Sequence, residues 1–317
     1  MAKEYVIGID VGGTNTKFGI VDSKGTILEQ GRIRTDAHEN AEDFIEELYG
    51  ELSLMIASHG GTQNFHGIGV GAPNGNYYTG TIEYAPNLKW KGIIPIAELM
   101  EKKFQLPTRL TNDANAAAVG EMKYGAAKGM KHFITITLGT GVGSGIVIDG
   151  KIVLGHDGFA GELGHTIIRP GGRLHKGTGL RGSLESYASA TGVRETAIEM
   201  LTENPSTTSL LRNYSIDDLT SETVFKCAEQ GDTVANQIFE FTGQILGEAL
   251  ANFVMFSSPE AIVLFGGLTK AGDLILKPTV QAMEANLIQI FKNKVKIIYS
   301  ELKEADAAIL GASALVW

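Results

Sequence analysis

Cysteine is nearly missing from this chain. Cys227 is the single one in 317 residues, which excludes an intramolecular disulfide and any cysteine-rich metal site. Positive charge is scarce too: 27 Lys and Arg against 36 Asp and Glu leave a net charge of -9, where a nucleic-acid binder would usually show a basic face. No uncharged apolar run reaches the ~18 residues of a membrane span, and the longest, around Ala249–Phe256, falls well short. The opening Met-Ala-Lys-Glu lacks the basic, apolar and small-residue segments of a secretion signal. These absences predict a cytoplasmic protein that binds neither nucleic acid nor membrane. Also missing are the Rossmann Gly-x-Gly-x-x-Gly that opens a helix and the Walker A pattern.

What remains is an ordinary soluble composition, 43% hydrophobic and 20% charged, on a chain long enough for two domains. Its 40 glycines follow no collagen-like period, so they predict tight turns or ligand-facing loops. Period and turn residues predict strands at Tyr5–Ile9, Phe18–Val21, Thr26–Ile33, Phe65–Val70, Ile134–Thr137, Ile146–Ile148, Ile152–Leu154, Ala261–Phe265 and Val295–Ser300. Helices are predicted at Ala41–Ser58, Ile93–Phe104, along the Ala-rich run after Asp113, and at Leu184–Ala190, Val193–Glu203, Ser221–Gln230, Thr233–Ser257, Ile275–Phe291 and Asp306–Val316.

The two halves start alike. At an offset of 127, Ile7 meets Ile134, Ile9 Ile136, Gly12 Gly139, Ile20 Val147, Asp22 Asp149 and Lys24 Lys151. A unit of strand, glycine turn, strand, Asp turn and strand therefore occurs twice. That spacing is too long for a solenoid and predicts two similar domains, each offering a glycine-rich hairpin to a shared cleft.

A backbone that wraps phosphate needs residues without side chains, so that several N–H groups can converge on the oxygens. Asp10-x-Gly12-Gly13-Thr14-Asn15-Thr16-Lys17 and Leu138-Gly139-Thr140-Gly141-Val-Gly143 both provide this, and Thr14, Thr16 and Thr140 add hydroxyls. Asp10 at the strand end suits Mg²⁺, held through water or phosphate, because that ion takes one or two carboxylates plus waters and phosphate oxygens. Thr137 stands at the matching place in the second half. Gly266-Gly267 follows a buried strand and reads either as a strand-end turn or as a third nucleotide contact near base and ribose.

Thr111–Glu121 reads TNDANAAAVGE. Asp113, at a strand-to-helix junction, is either the helix N-cap or a general base at the mouth of a cleft. At a helix N-terminus the dipole predicts an ionised carboxylate and a modest base. Glu162 and Glu185 read as surface acids or ligands, and His165 as a structural histidine or a ligand.

Asp10-Val-Gly-Gly-Thr14, Asn112-Asp113-Ala-Asn115, Leu138-Gly-Thr-Gly-Val-Gly143, Gly161-Glu-Leu-Gly-His165 and Gly182-Ser-Leu-Glu185 together resemble the ROK family (repressors, uncharacterised reading frames and sugar kinases) within the actin-like ATP-binding superfamily. The resemblance covers nearly the whole chain. It implies an α/β, two-domain actin-like (ribonuclease H-like) ATPase fold, with ATP, Mg²⁺ and a hexose in the interdomain cleft. Residues 1–117 with 303–317 would form one domain, 118–302 the other, and the chain would be a homodimer. The resemblance further makes Asp113 the general base and Asn112, Glu162, His165, Glu185, Asn87 and Gly71 sugar contacts. One departure is plain. A Cys-x-Cys-Gly-x-x-Gly-Cys run binds structural zinc in many members, whereas Lys176, Thr178 and Ser183 stand here. Hydroxyls and an ammonium cannot replace thiolates on zinc, so no zinc is expected and the loop 170–182 must be held by other contacts.

The resemblance implies ATP-dependent phosphorylation of glucose at its 6-hydroxyl. N-acetylmannosamine, N-acetylglucosamine, fructose and allose are alternative acceptors. A sugar-responsive repressor is the rival from another class, but only a handful of residues precede Asp10. An actin-like ATPase without a sugar would leave Glu162, His165 and Glu185 without a task.

Overall fold

The computed structural model describes residues 3–317, which divide into two compact units. One comprises residues up to 131 with 145–161 and 300–317; the other comprises 132–144 and 162–299. In chain order the strands are β1 (Tyr5–Val11), β2 (Asn15–Asp22), β3 (Ile27–Arg34), β4 (Phe65–Gly71), β5 (Gly75–Asn76), β6 (Thr81–Glu83), β7 (Ile93–Ile94), β8 (Thr108–Thr111), β9 (Phe133–Leu138), β10 (Val142–Ile148), β11 (Lys151–Ile152), β12 (Ala261–Phe265) and β13 (Lys296–Tyr299). The helices are α1 (Ala41–Ser58), α2 (Ile96–Phe104), α3 (Asp113–Tyr124), α4 (Glu185–Ala188), α5 (Ala190–Glu203), α6 (Ser221–Glu229), α7 (Thr233–Ser257), α8 (Asp273–Asn286) and α9 (Ala307–Ser313).

The repeat read from the sequence reaches further than the hairpins. One sheet runs β3-β2-β1-β4-β8 and the other β11-β10-β9-β12-β13. Each centres on a strand followed by an antiparallel hairpin on one side and parallel strands on the other. In both, the glycine turn leaves the carboxyl end of the first strand, where α/β sheets bind ligands.

β1 is buried on both faces, so it lacks the simple apolar–polar alternation of a half-solvated strand. Ile7, Ile9 and Val11 join Phe44, Leu48 and Leu52 of α1 in one core, each fully buried aliphatic side chain contributing about 1.5–3 kcal/mol. Val6 faces the opposite layer with Ile309 and Leu310 of α9. That layer approaches closely because the contact points are glycines. A Cβ on Gly8 would strike the Ile309 carbonyl oxygen, one on Gly69 the Ala312 carbonyl oxygen, and Gly120 meets Gly311. The last helix of the chain is thereby seated on the first sheet.

Three helix boundaries differ from expectation. Ile93-Ile94 pairs with β6 as a strand and α2 starts only at Ile96, because proline at 95 drives the preceding residue out of the helical region. Ser189 separates α4 from α5: its backbone is extended and its hydroxyl accepts the Gly192 N–H at 2.9 Å. α8 stops at Asn286, well before Phe291. Leu287 is extended, and the chain folds back so that Asn293 N–H donates to the Glu284 carboxylate at 3.0 Å. No helix among the described residues is long and apolar enough to cross a membrane.

Candidate active site

In the first unit, strand register gathers the candidate residues. Asp10 pairs with Lys17 across the hairpin and with Gly71 on β4, and Gly71 pairs with Thr111 on β8. The ends of three parallel strands thus bring Asp10, Gly71 and the Asn112-Asp113 junction side by side. Gly12 N–H closes the hairpin turn on the Asn15 carbonyl at 3.1 Å, with Gly13 and Thr14 at its tip. A Cβ on Gly13 would lie 2.7 Å from the Asn87 carbonyl oxygen, so Asn87 stands directly beside the turn. Thr16 faces the other way. It is fully buried and its hydroxyl is shared with Thr35 at 2.8 Å, which anchors the hairpin. A cavity of about 630 Å³ opens alongside, lined by Thr14, Asn15, Arg32 and Arg34. These two arginines carry no motif and were not visible from sequence, although Arg34 is already bound to Asp36 at 2.7 Å.

Of the two residues at the junction, the cap falls to the neighbour of Asp113. Asn112 is the N-cap of α3, its Oδ1 accepting the Asn115 N–H at 2.7 Å. Asp113 is the first helical residue; one carboxylate oxygen accepts the Ala114 N–H at 2.8 Å and the side chain stays accessible. The helix dipole, which favours the ionised form, is opposed here. Desolvation by the surrounding protein raises its pKa, and the N–H bonds from Ala114 and its own backbone only partly oppose this. Asp10, half-buried, is pushed up to about 6 by burial and by the Asp113 charge, with Lys17 pulling the other way. Two carboxylates that repel each other mark a place short of positive charge. That suits a divalent cation completed by water and phosphate oxygens, and among the described residues no group of three or more acids, His or Cys forms an all-protein metal cage. Asn115, 1% exposed, leaves both amide atoms without a partner, an unmet capacity beside the site that the motif alone did not reveal.

In the second unit, Gly139 N–H closes its turn on the Gly141 carbonyl at 3.0 Å, and Thr137 Oγ1 accepts the Gly143 N–H at 3.1 Å. Thr137 therefore braces the turn at the place matching Asp10. The start of α5 rests on the turn through Ala190 N–H to the Gly139 carbonyl and the Thr191 hydroxyl to the Thr140 carbonyl. Gly266 packs on the Leu138 carbonyl, while Gly267 is open; both lie at the end of β12, the parallel neighbour of β9.

Val142 supports both groups of candidate sugar ligands. Its N–H donates to the Glu185 carboxylate at 2.7 Å, and its carbonyl packs under Gly164 in the turn that carries Glu162 and His165. His165 Nε2 lies 3.8 Å from Glu162, and its Nδ1 is buried without a partner. The loop residues do not fit zinc: the Ser183 hydroxyl is engaged with Ser186 at 2.8 Å and that of Thr178 with His175 at 2.9 Å.

Residues 6–317 match the profile of the ROK family. The chain belongs to the ROK family. Within it, the glucokinase of Halalkalibacterium halodurans is 36% identical over 318 residues, covering 100% of this chain and 96% of that protein. The glucokinase of Thermotoga maritima is 31% identical over 317 residues, with 100% and 98% covered. A ROK family glucokinase from Streptomyces griseus, solved in complex with glucose and AMPPNP, matches with a TM-score of 0.78 at 32% identity, covering 98% of this chain and 99% of that one. The actin-like ATPase fold expected from the motifs is the fold observed.

Proposed function

We propose that this ROK protein transfers the γ-phosphoryl group of ATP to the 6-hydroxyl of glucose. The observation that carries the reading is the coupled pair Asp10–Asp113 at the ends of parallel strands, with Asp113 relieved of capping by Asn112, on a chain similar throughout its length to glucokinases. Phosphoryl transfer demands positioning and charge neutralisation more than covalent chemistry. The hairpin would hold phosphate through the N–H groups of Gly13 and Thr14 and the second turn through those of Thr140 and Gly141, since Gly12 and Gly139 close the turns themselves, and Gly266-Gly267 would receive the nucleoside. Asp10 would hold Mg²⁺ through water or phosphate oxygens, and the ion would supply positive charge against the phosphates.

Glu162, His165, Glu185, Asn112 and Asn87 take the hydroxyls of the sugar, the carboxylates through charge-assisted hydrogen bonds. A site with such groups rejects an analogue lacking the matching hydroxyl, because a buried polar partner is then left unpaired. Asp113 accepts the O6 proton as O6 bonds to the γ-phosphorus and the bond to the ADP oxygen breaks. A raised carboxylate pKa brings this base nearer the working pH, where general-base catalysis is most effective.

Coupled ADP release measured over a panel of hexoses with ATP and Mg²⁺ tests the reading. Glucose is expected to give the highest kcat/KM, above N-acetylmannosamine, N-acetylglucosamine, fructose and allose. A higher value for one of those would replace glucose as the substrate, and no turnover with any of them would end the kinase reading.

A further inference from the structure

Between His165 and Glu185 the chain carries no thiolate, yet the loop is tightly held. Arg173, its side chain only 9% exposed, spends its guanidinium on Glu199 (Nε, 2.8 Å), the carbonyls of Ser186 (2.7 Å) and Gly192 (3.0 Å) and the Thr196 hydroxyl (2.9 Å). It also stacks over the Tyr187 ring at 4.6 Å. Bridges pair Ile167 with Ser183 and Leu174 with Arg181, so the loop is a short hairpin pinned at its base.

At the end of this hairpin sits His175, which no motif singled out. Its Nδ1 is 2.9 Å from the Thr178 hydroxyl and its Nε2 3.1 Å from Glu185 Oε1. The imidazole edge therefore stands in direct contact with one oxygen of the carboxylate. The other oxygen, Oε2, accepts the Val142 N–H at 2.7 Å and lies against Gly141, where a Cβ would collide with it. Glu185 is thus hydrogen-bonded to the glycine turn at one oxygen and contacted by the imidazole at the other. Each oxygen keeps a lone pair for a sugar hydroxyl.

We propose that His175 is a positioning residue for the sugar: it fixes the Glu185 carboxylate against the glycine turn before substrate arrives. This rests on the reading of Glu185 as a sugar ligand. Anchored at one oxygen alone, the carboxylate could still turn about that bond and would have to be ordered by the substrate, and that ordering cost appears as weaker binding.

Steady-state kinetics of three variants test this, with melting curves as a folding control. His175→Ala is expected to raise KM for glucose about 10-fold while KM for ATP stays constant and kcat changes less than about twofold. His175→Gln should recover most of the loss, because its amide nitrogen reaches the place of Nε2. His175→Asn should not, because its amide reaches only the place of Nδ1, beside Thr178. Equal rescue by Asn and Gln would make His175 a loop-packing residue and overturn the proposal. So would an unchanged or lowered KM in the Ala variant, the latter meaning that His175 blocks Glu185. Should the Ala variant melt, the contrast of Gln with Asn decides. A wild-type protein inactive on every hexose takes down the kinase reading and this one together, whereas an active wild type with an indifferent His175 removes only this one.

Discussion

Asp113→Asn is expected to lower kcat about 10²–10⁴-fold, the usual worth of a positioned general base, while glucose KM stays within about threefold. The substitution separates charge from shape. The amide oxygen of Asn can still accept the Ala114 N–H that Asp113 accepts at 2.8 Å, and Asn112 continues to cap α3, so the helix start keeps its hydrogen bonds. What is lost is the proton acceptor for O6. Calorimetric titration with glucose, set beside the kinetics, distinguishes this from a damaged sugar site: binding should persist where turnover fails. A kcat near that of the wild type would remove Asp113 from the base role and leave it a first-turn helix residue.

Asp10→Asn has two expected effects of opposite sign. With ATP and Mg²⁺, kcat/KM should fall by about 10²-fold or more, since the cation loses its carboxylate and charge neutralisation at phosphate is worth several kcal/mol. In metal-free protein the same change should stabilise. The Asp10 carboxyl titrates at about 6 in the folded state against an ordinary 3.8, so between those values the folded chain binds more protons than the unfolded one. The contribution of Asp10 to wild-type stability therefore falls as pH rises from about 4 to about 6 and stays low above. Asn lacks this slope, and the advantage of the variant should open across that window and level off beyond it. A rise of that size corresponds to ~3 kcal/mol at most, and access of water to the half-buried side chain reduces this to ~1–2 kcal/mol. Denaturant unfolding in chelator at pH 4 and pH 8 measures it. An equal difference at both values would mean that Asp10 is not the strained acid described here.

Much of this was legible in the chain. The matched positions at a constant offset announced two like sheets, and the sheets share their strand order. The glycine turns and the Asn112-Asp113 junction fell where parallel strands end. Local pattern was blind to two kinds of fact. One is division of labour between neighbours: Asn and Asp are equally good caps, and only the fold shows Asn112 taking that task and leaving Asp113 accessible. The same holds for Thr16, a candidate phosphate hydroxyl by spacing, whose partner Thr35 lies nineteen positions away. The other is long-range environment. The raised pKa values of Asp10 and Asp113 arise from desolvation by the protein around each carboxylate and, at Asp10, from the neighbouring carboxylate as well, and His175 meets Glu185 across a loop whose sequence advertises only missing cysteines. The misplaced ends of α2 and α8 came from weighting apolar period over Pro95 and over the return contact of Glu284 with Asn293.

The most direct test of the account is the identity of the product. Phosphorus NMR of the protein with glucose, ATP and Mg²⁺ should show ADP and a sugar phosphate monoester forming in equal amounts, the ester phosphorus coupled to the C6 methylene protons. Inorganic phosphate in place of the ester, or an ester on the anomeric carbon, would contradict it.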